Sequence, residues 1–247
     1  MELTWYGTAA LVLKEGETAI AFDPFCEPAF TGGFCQISNV FVTHGHFDHI
    51  QQIPDIYRDK PKKIRCTGTP RKTLIKKGIV PNCITEIAPG HRETVGPFAV
   101  TAYQGQHCKF DLGLILSAAL RCMRHPVPAL GVVKALLAYP ENGEILFYEV
   151  ACDGKRLQVM GSLNLAEDVE YPTGADLLVL PYQGRSDLES YALGIVDRLK
   201  PKAVVLDHWD DAFPPVSATV DTAKFEKILQ AREIPCRALK KGETLYE

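Results

Sequence analysis

At 247 residues, with 46% hydrophobic and 23% charged residues, the chain has ordinary globular values that exclude a disordered, collagenous or coiled-coil protein, and one domain over residues 1–247 is expected. Its 27 basic and 30 acidic residues leave a formal net charge of −3, so no overall field draws in nucleic acid or an anionic lipid surface, and any such partner needs a local patch. Gly, Pro or Arg breaks every apolar run before the ~20 residues of a membrane span, and Met1 to Gly7 lack the features of a secretory leader, so no span and a cytoplasmic location are expected.

Short β-like runs come first, at Leu3 to Tyr6, Ala10 to Leu13, Ala19 to Phe22 and Asn39 to Thr43, with turn residues at Gly7, Glu15-Gly16 and Asp23-Pro24. Ile50 to Tyr57 reads as helical. Thr69 to Lys77 then reads as a helix before a strand over Cys83 to Ile87. Leu112 to Tyr139 stands apart as a small-and-aliphatic insertion, at about 112–140, with Arg121, Arg124, His125 and Lys134 scattered through it and a break expected at Pro126 and Pro128. A buried helical pair or dimer face is expected there, with a lid or apolar wall over an active site as the alternative. Asp153-Gly154, between extended runs Glu144–Cys152 and Lys155–Met160, predicts a two-residue hairpin. Asp187 to Leu199 is read as a helix before a strand at Ala203 to Leu206, and Ser217 to Ala231 as a helix before a terminal strand. The eight cysteines are spread thinly without a Cys-x-x-Cys pair and read as reduced thiols.

The chemistry concentrates in Asn39-Val40-Phe41-Val42-Thr43-His44-Gly45-His46-Phe47-Asp48-His49, a hydrophobic strand running into three imidazoles and a carboxylate. With only 7 histidines in the chain, that clustering is not background usage. Neutral imidazole is the commonest nitrogen ligand of zinc and similar dications, and a carboxylate adds charge and an oxygen donor. In an extended backbone His44 and His46 share a face and can chelate one ion. Asp48 and His49 lie beyond the turn and project towards a neighbouring position, which opens room for a second. Gly45, without a Cβ, permits a tight bend between the two ligands.

Thr43 to His49 closely resembles the His-x-His-x-Asp-His signature of the metallo-β-lactamase superfamily of metal-dependent hydrolases. Other pieces follow in the matching order. Ala19 to Phe25 is similar to the early strand that ends in an aspartate, here Asp23. His107, after the strand-like Phe98 to Tyr103, matches the third histidine of the first site, and His208, after the apolar Ala203 to Asp207, matches the last. Trp5-Tyr6-Gly7-Thr8-Ala9-Ala10 and His208-Trp209-Asp210-Asp211 are similar to the branch containing the ascorbate-phosphate lactonase-like proteins, so the resemblance spans about residues 2–210. It implies an α/β fold, a four-layer αββα sandwich. It further implies that His44, His46 and His107 hold a first ion and Asp48, His49 and His208 a second. Asp48 would also orient water and take its proton, while Asp23 and Asp207 would fix the imidazoles from behind. The implied cofactor is a divalent metal, zinc first with manganese or iron as alternatives, at one or two ions per chain. The implied activity is hydrolysis of a small ester, lactone or phosphodiester.

One residue departs from the pattern. Superfamily members usually place a bridging aspartate after the hairpin, whereas Val159-Met160-Gly161-Ser162-Leu163-Asn164 puts Ser162 there. A neutral hydroxyl offsets less dication charge, so a weakened second site and a mononuclear protein are expected outcomes, with Asn164, Asp168 or Asp111 as candidate replacement oxygens. The same departure motivates a rival function, a metal-binding protein of this fold with lost or altered catalysis that serves ligand sensing or assembly. Thr8 also stands where the branch commonly has a histidine.

Substrate contacts are expected in Pro181-Tyr182-Gln183-Gly184-Arg185, a rim loop after an apolar strand. Arg185 is a candidate clamp for a phosphate or carboxylate, Tyr182 a second contact and Lys109 a third, which together favour a small, anionic substrate. A solvent-facing loop arginine is the plainer reading. Trp209 and Cys108 read as packing residues and His91 and His125 as surface or capping residues. The basic run Lys60, Lys62, Lys63, Arg65, Arg71, Lys72, Lys76 and Lys77 lacks aromatic interleaving and reads as a solvated face, so a nucleic-acid partner is not expected. Homo-oligomerisation is left open. The chain has no Gly-x-Ser-x-Gly, Walker or Gly-x-Gly-x-x-Gly motif to support a serine-hydrolase, NTPase or dinucleotide reading.

Overall fold

A computed structural model describes residues 1–57 and 62–246. Buried and half-buried side chains alternate along Glu2–Gly7, with Leu3 and Trp5 turned fully inward, which is the period of a strand with one face on a core. This is β1, and it pairs antiparallel with β2 (Ala10–Glu15), which pairs in turn with β3 (Thr18–Phe22). A single helical turn at Pro28–Phe30 and α1 (Thr31–Cys35) carry the chain across to β4 (Asn39–Phe41), which lies parallel to β3. Helices α2 (Phe47–Ile50) and α3 (Ile53–Ile56) precede β5 (Lys63–Cys66), and α4 (Gly68–Lys76) precedes β6 (Ile84–Glu86), both strands again parallel.

The second sheet begins with the antiparallel pair β7 (Arg92–Val95) and β8 (Phe98–Gln104). Helices α5 (Leu112–Arg124) and α6 (Pro126–Ala138) follow, then β9 (Leu146–Cys152) and β10 (Lys155–Val159). β11 (Leu177–Pro181) and β12 (Val204–Asp207), separated by α7 (Leu188–Leu199), are buried along their whole length, as parallel strands covered on both faces must be. After α8 (Ala223–Ala231) comes β13 (Cys236–Ala238), and β14 (Glu243–Tyr246) returns to the first sheet beside β1.

The strand orders are β14-β1-β2-β3-β4-β5-β6 and β13-β12-β11-β10-β9-β8-β7. Between the sheets lies a core of Trp5, Phe22, Phe41, Tyr148, Leu157 and Val179. The outer face of the first sheet is covered by Phe34, Ile50, Ile53 and Leu74 from α1 to α4, and that of the second by Ile195, Leu199, Phe225 and Leu229 from α7 and α8. Each sheet thus buries both faces, and the architecture is the expected αββα sandwich.

The hairpin at Asp153-Gly154 forms as expected. Both residues have positive φ, 49° and 77°, and Lys155 pairs with Cys152, as a tight primed turn requires. Gly154→Val puts a β-branched side chain into that left-handed position and is expected to lower stability by about 1–2 kcal/mol, read from the urea midpoint.

Three expectations change. Ile50 to Tyr57 is two short helices rather than one, because Pro54 lies in the first turn of α3, where its missing N–H costs nothing. The helix expected from Ser217 starts only at Ala223. Val220 N–H donates to the Trp209 carbonyl, and Ser217 Oγ accepts from Phe213 N–H and donates to Asp211, so this stretch is held against the preceding loop. The insertion is a helical pair broken at His125, but it is not buried: only Ala129 and Val132 of its two helices are, since no layer of the sandwich lies over it. In the basic run, Lys60 lies outside the described residues. Lys62 is buried with its ammonium on the Cys35 and Ile37 carbonyls, and Arg65 is paired to Glu93 at 2.8 Å, so these two cations are structural.

Candidate metal centre

The site is assembled where strand ends meet at one rim. Asp23 follows β3 and is held at φ 43°, a left-handed conformation that a non-glycine residue keeps only when its surroundings enforce it. Here they do: Asp23 Oδ1 accepts from Thr43 N–H at 2.8 Å and Oδ2 from Thr43 Oγ1 at 2.6 Å, and Oδ2 lies 2.9 Å from His49 Nδ1. Burial raises the Asp23 carboxyl to about 7 despite the hydrogen bonds from Thr43. This carboxylate therefore ties β3 to the ligand loop after β4. Gly45 is required for a reason other than the expected bend, because a Cβ there would press into the Pro140 carbonyl oxygen at the foot of α6.

His107 follows β8, with Nδ1 3.0 Å from the Cys108 carbonyl and its own carbonyl accepting from Asn164 Nδ2, so the ring's Nε2 remains for another partner. His208 follows β12 at φ 57°, a second left-handed site residue. Its N–H donates to the Thr8 carbonyl, which also accepts from Trp5 Nε1. Thr8 contributes backbone here, so a side chain at that position is not needed to place His208. Asp207 Oδ2 lies 3.2 Å behind His208 Nδ1, and Trp209 stacks on Trp5 as a packing residue.

Six side chains thus converge from three parts of the chain, the loop at 44–49 and the positions 107 and 208. The donor atoms of His44, His46 and His107 lie within 4.8 Å of one another, and so do those of Asp48, His49 and His208. The two triads adjoin, with the His44 and His49 rings 3.9 Å apart. Within them nitrogens face each other: His44 Nε2 and His46 Nδ1 at 3.1 Å, His49 Nε2 and His208 Nε2 at 3.3 Å. Burial, reinforced by neighbouring imidazoles, holds His44 well below its usual range and brings His46 to about 3, and burial likewise brings His49 to about 3 against the pull of Asp48. The lowered values favour the uncharged imidazole, the form that binds a cation through a ring nitrogen. His208 differs, because Asp207, with Asp48 and Asp210, outweighs burial and raises it to about 9. A nitrogen-rich set of this kind, with one carboxylate, fits a divalent ion of the zinc type.

The triads floor a cavity of about 360 Å³ walled by Phe47, Phe110, Leu136, Leu163, Phe213 and Val216. Its described lining residues include Glu141 and Gln183 but no lysine or arginine. The rim expectations are corrected accordingly. Tyr182 is 1% exposed and stacks on Phe225 in the outer core, so it faces away from the cavity. Arg185 is clamped on Asp187 at 2.6 and 2.9 Å, donates to the Lys109 carbonyl and lies over Tyr191. Neither it nor the exposed Lys109 lines the metal cavity. Ser162 does line it, but its Oγ accepts from Cys108 N–H at 3.0 Å. The replacement oxygens are also spent or remote: Asn164 Oδ1 accepts from Tyr191 and Leu165, Asp111 caps α5 and holds Ser186, and Asp168 is exposed outside the cavity. Burial pushes the Cys108 thiol up to about 12, in keeping with a packing role. The apolar walls Phe110, Leu136, Phe213 and Val216 were not among the sequence candidates, since their residue types do not separate a cavity wall from a core.

Residues 21–209 match the family model described as Beta-lactamase superfamily domain. Among known proteins, the chain is similar to a UPF0173 metal-dependent hydrolase of Thermus thermophilus, 27% identical with 99% of this chain and 98% of that protein covered. A second such hydrolase, of Methylobacterium nodulans, is 25% identical, covering 90% and 89%. Among solved structures, the metallo hydrolase Igni18 of Ignicoccus hospitalis superposes with a TM-score of 0.64 at 20% identity over 100% of this chain and 98% of that one.

Proposed function

The chain belongs to the beta-lactamase superfamily, and from that premise we propose that it is a divalent-metal-dependent hydrolase of a small ester or lactone carrying an apolar group. The convergence of two adjoining donor triads at the floor of an apolar cavity carries this reading. His44, His46 and His107 would hold the first ion, and Asp48, His49 and His208 a second. Zinc is proposed first, on the nitrogen-rich donor set, with manganese or iron as alternatives. Such a cation supplies Lewis-acid polarisation of a carbonyl oxygen and acidifies water at neutral pH.

The chain's own residues do the rest. Asp48, at the cavity floor with its Oδ2 3.9 Å from His49 Nε2, is placed to orient an attacking water and take its proton. Asp23 and Asp207 fix the rings of His49 and His208 from behind. Phe110, Leu136 and Phe213 exclude water and seat an apolar group. Because no lysine or arginine among the described residues lines the metal cavity, an uncharged substrate fits it better than the anionic one expected of Arg185 and Lys109, and a phosphodiester fits least well. Ser162 supports a reading with one tightly held ion, since its hydroxyl is engaged by Cys108 and adds no charge between the triads.

Purified protein is expected to hydrolyse p-nitrophenyl butyrate and a δ-lactone faster than bis-p-nitrophenyl phosphate, to lose the activity to a chelator and to regain it with zinc or manganese. Bound metal with no turnover of any of the three would instead favour the metal-binding rival.

A further inference from the structure

Apart from Val80 and Tyr246, every exposed large hydrophobic among the described residues falls between Phe110 and Leu137. Leu116, Leu120, Met123, Val127, Leu130 and Leu137 are between 53% and 81% exposed and are spread over both helices and their tip. A bare apolar surface of that size on a folded protein marks a docking face. The hairpin has a charge signature too: from Leu112 to Pro140 there is no Asp or Glu, while Arg121, Arg124 and Lys134 are present, in a chain of net charge −3. Arg121 is held on the Pro215 and Val216 carbonyls, but Arg124 and Lys134 have no carboxylate partner among the described residues.

We propose that the α5–α6 hairpin docks the protein on an anionic lipid bilayer, lying in the interface with its leucines among the acyl chains and Arg124 and Lys134 at the headgroups. The charge of the hairpin selects this occupant over a second copy of the chain. A two-fold contact would set the same patch against itself and bring unpaired cations together, whereas anionic headgroups complement them. On α5 the exposed Leu112, Ile115, Leu116, Leu120 and Met123 recur at helical spacing and form one stripe, the pattern of a helix that lies in the interface. Neither helix spans a bilayer, since 13 residues rise only about 20 Å against a hydrocarbon core of about 30 Å.

Docking there would set the cavity against the lipid. Pro140, at the foot of α6, closes on Gly45 between His44 and His46. A second cavity of about 340 Å³ under α5, lined also by Arg121 and Arg185, shares Phe110, Gln183, Phe213 and Val216 with the metal cavity, so the two adjoin between the hairpin and the histidines.

The test is co-sedimentation with vesicles of equimolar phosphatidylcholine and phosphatidylglycerol, alongside vesicles of phosphatidylcholine alone. The protein is expected to pellet with the anionic vesicles at least about tenfold more strongly than with the neutral ones, and to weaken about fivefold for each of Arg124→Ala and Lys134→Ala. The double variant Leu116→Glu, Leu137→Glu is expected to stay in the supernatant with an unchanged urea midpoint. No pelleting with anionic vesicles, or equal pelleting by the double variant, overturns the proposal. So does a dimer in light scattering that the double variant dissolves while the parent ignores both vesicle types, which would make the face a self-association surface. Docking needs neither metal nor turnover, so this outcome is separate from that of the hydrolase reading.

Discussion

His46→Ala is expected to lower hydrolysis at least about a thousandfold, because a dication's stabilisation of a reacting carbonyl is worth several kcal/mol and each 1.36 kcal/mol is a decade in rate. His46 sits between the other two members of its triad, its ring 4.7 Å from that of His44 and 4.8 Å from that of His107. Its loss leaves two nitrogens on that ion and a space at the cavity floor. The side chain is partly exposed and outside the cores, so the fold should persist. The expected result is therefore a protein with the parent's urea midpoint and a lost first ion, measured as metal per chain together with kcat/KM on p-nitrophenyl butyrate. Full activity in the variant would remove the first triad from the mechanism.

Asp23→Ala has the next largest expected effect, and it acts on stability as well as on metal. Its carboxylate serves the Thr43 N–H, the Thr43 hydroxyl and His49 Nδ1, all buried. Each group left unsatisfied costs about 1–3 kcal/mol, so destabilisation of about 3–5 kcal/mol is expected in urea unfolding. Metal affinity should fall about 10–100-fold, since ring orientation by such outer partners is worth that much. Asp23→Asn keeps an acceptor for Thr43 and is expected to recover most of the stability and less of the affinity. Equal affinity in all three proteins would show that Asp23 braces the fold alone.

The legible part of the site is the part whose chemistry is written in residue type. Imidazoles and carboxylates at Thr43 to His49 have few uses together other than ligation, and strand ends carry His107 and His208 to the same rim. The strands themselves are legible because burial alternates or persists along them, as in β1 and β11. The walls are not legible, since Phe110, Leu136 and Phe213 are the same residue types that fill cores, and only coordinates separate the two. Tyr182 shows the converse: it lies one residue from the cavity-lining Pro181 and Gln183, yet its ring turns to Phe225. Arg185 had its partner in view two residues on, at Asp187, and an arginine so close to a carboxylate is poorly placed to clamp a substrate. The exposure of α5 and α6 was hidden for a different reason. Apolar composition normally signals burial, and here the covering layer is absent from the chain's own fold.

The position at which a cation binds is the most direct test of the two triads. Anomalous diffraction from crystals grown with zinc, collected across the zinc edge, is predicted to show density among the ring nitrogens of His44, His46 and His107, with a weaker peak or none by Asp48, His49 and His208. Zinc density located only elsewhere on the chain, with the first triad empty, would contradict it.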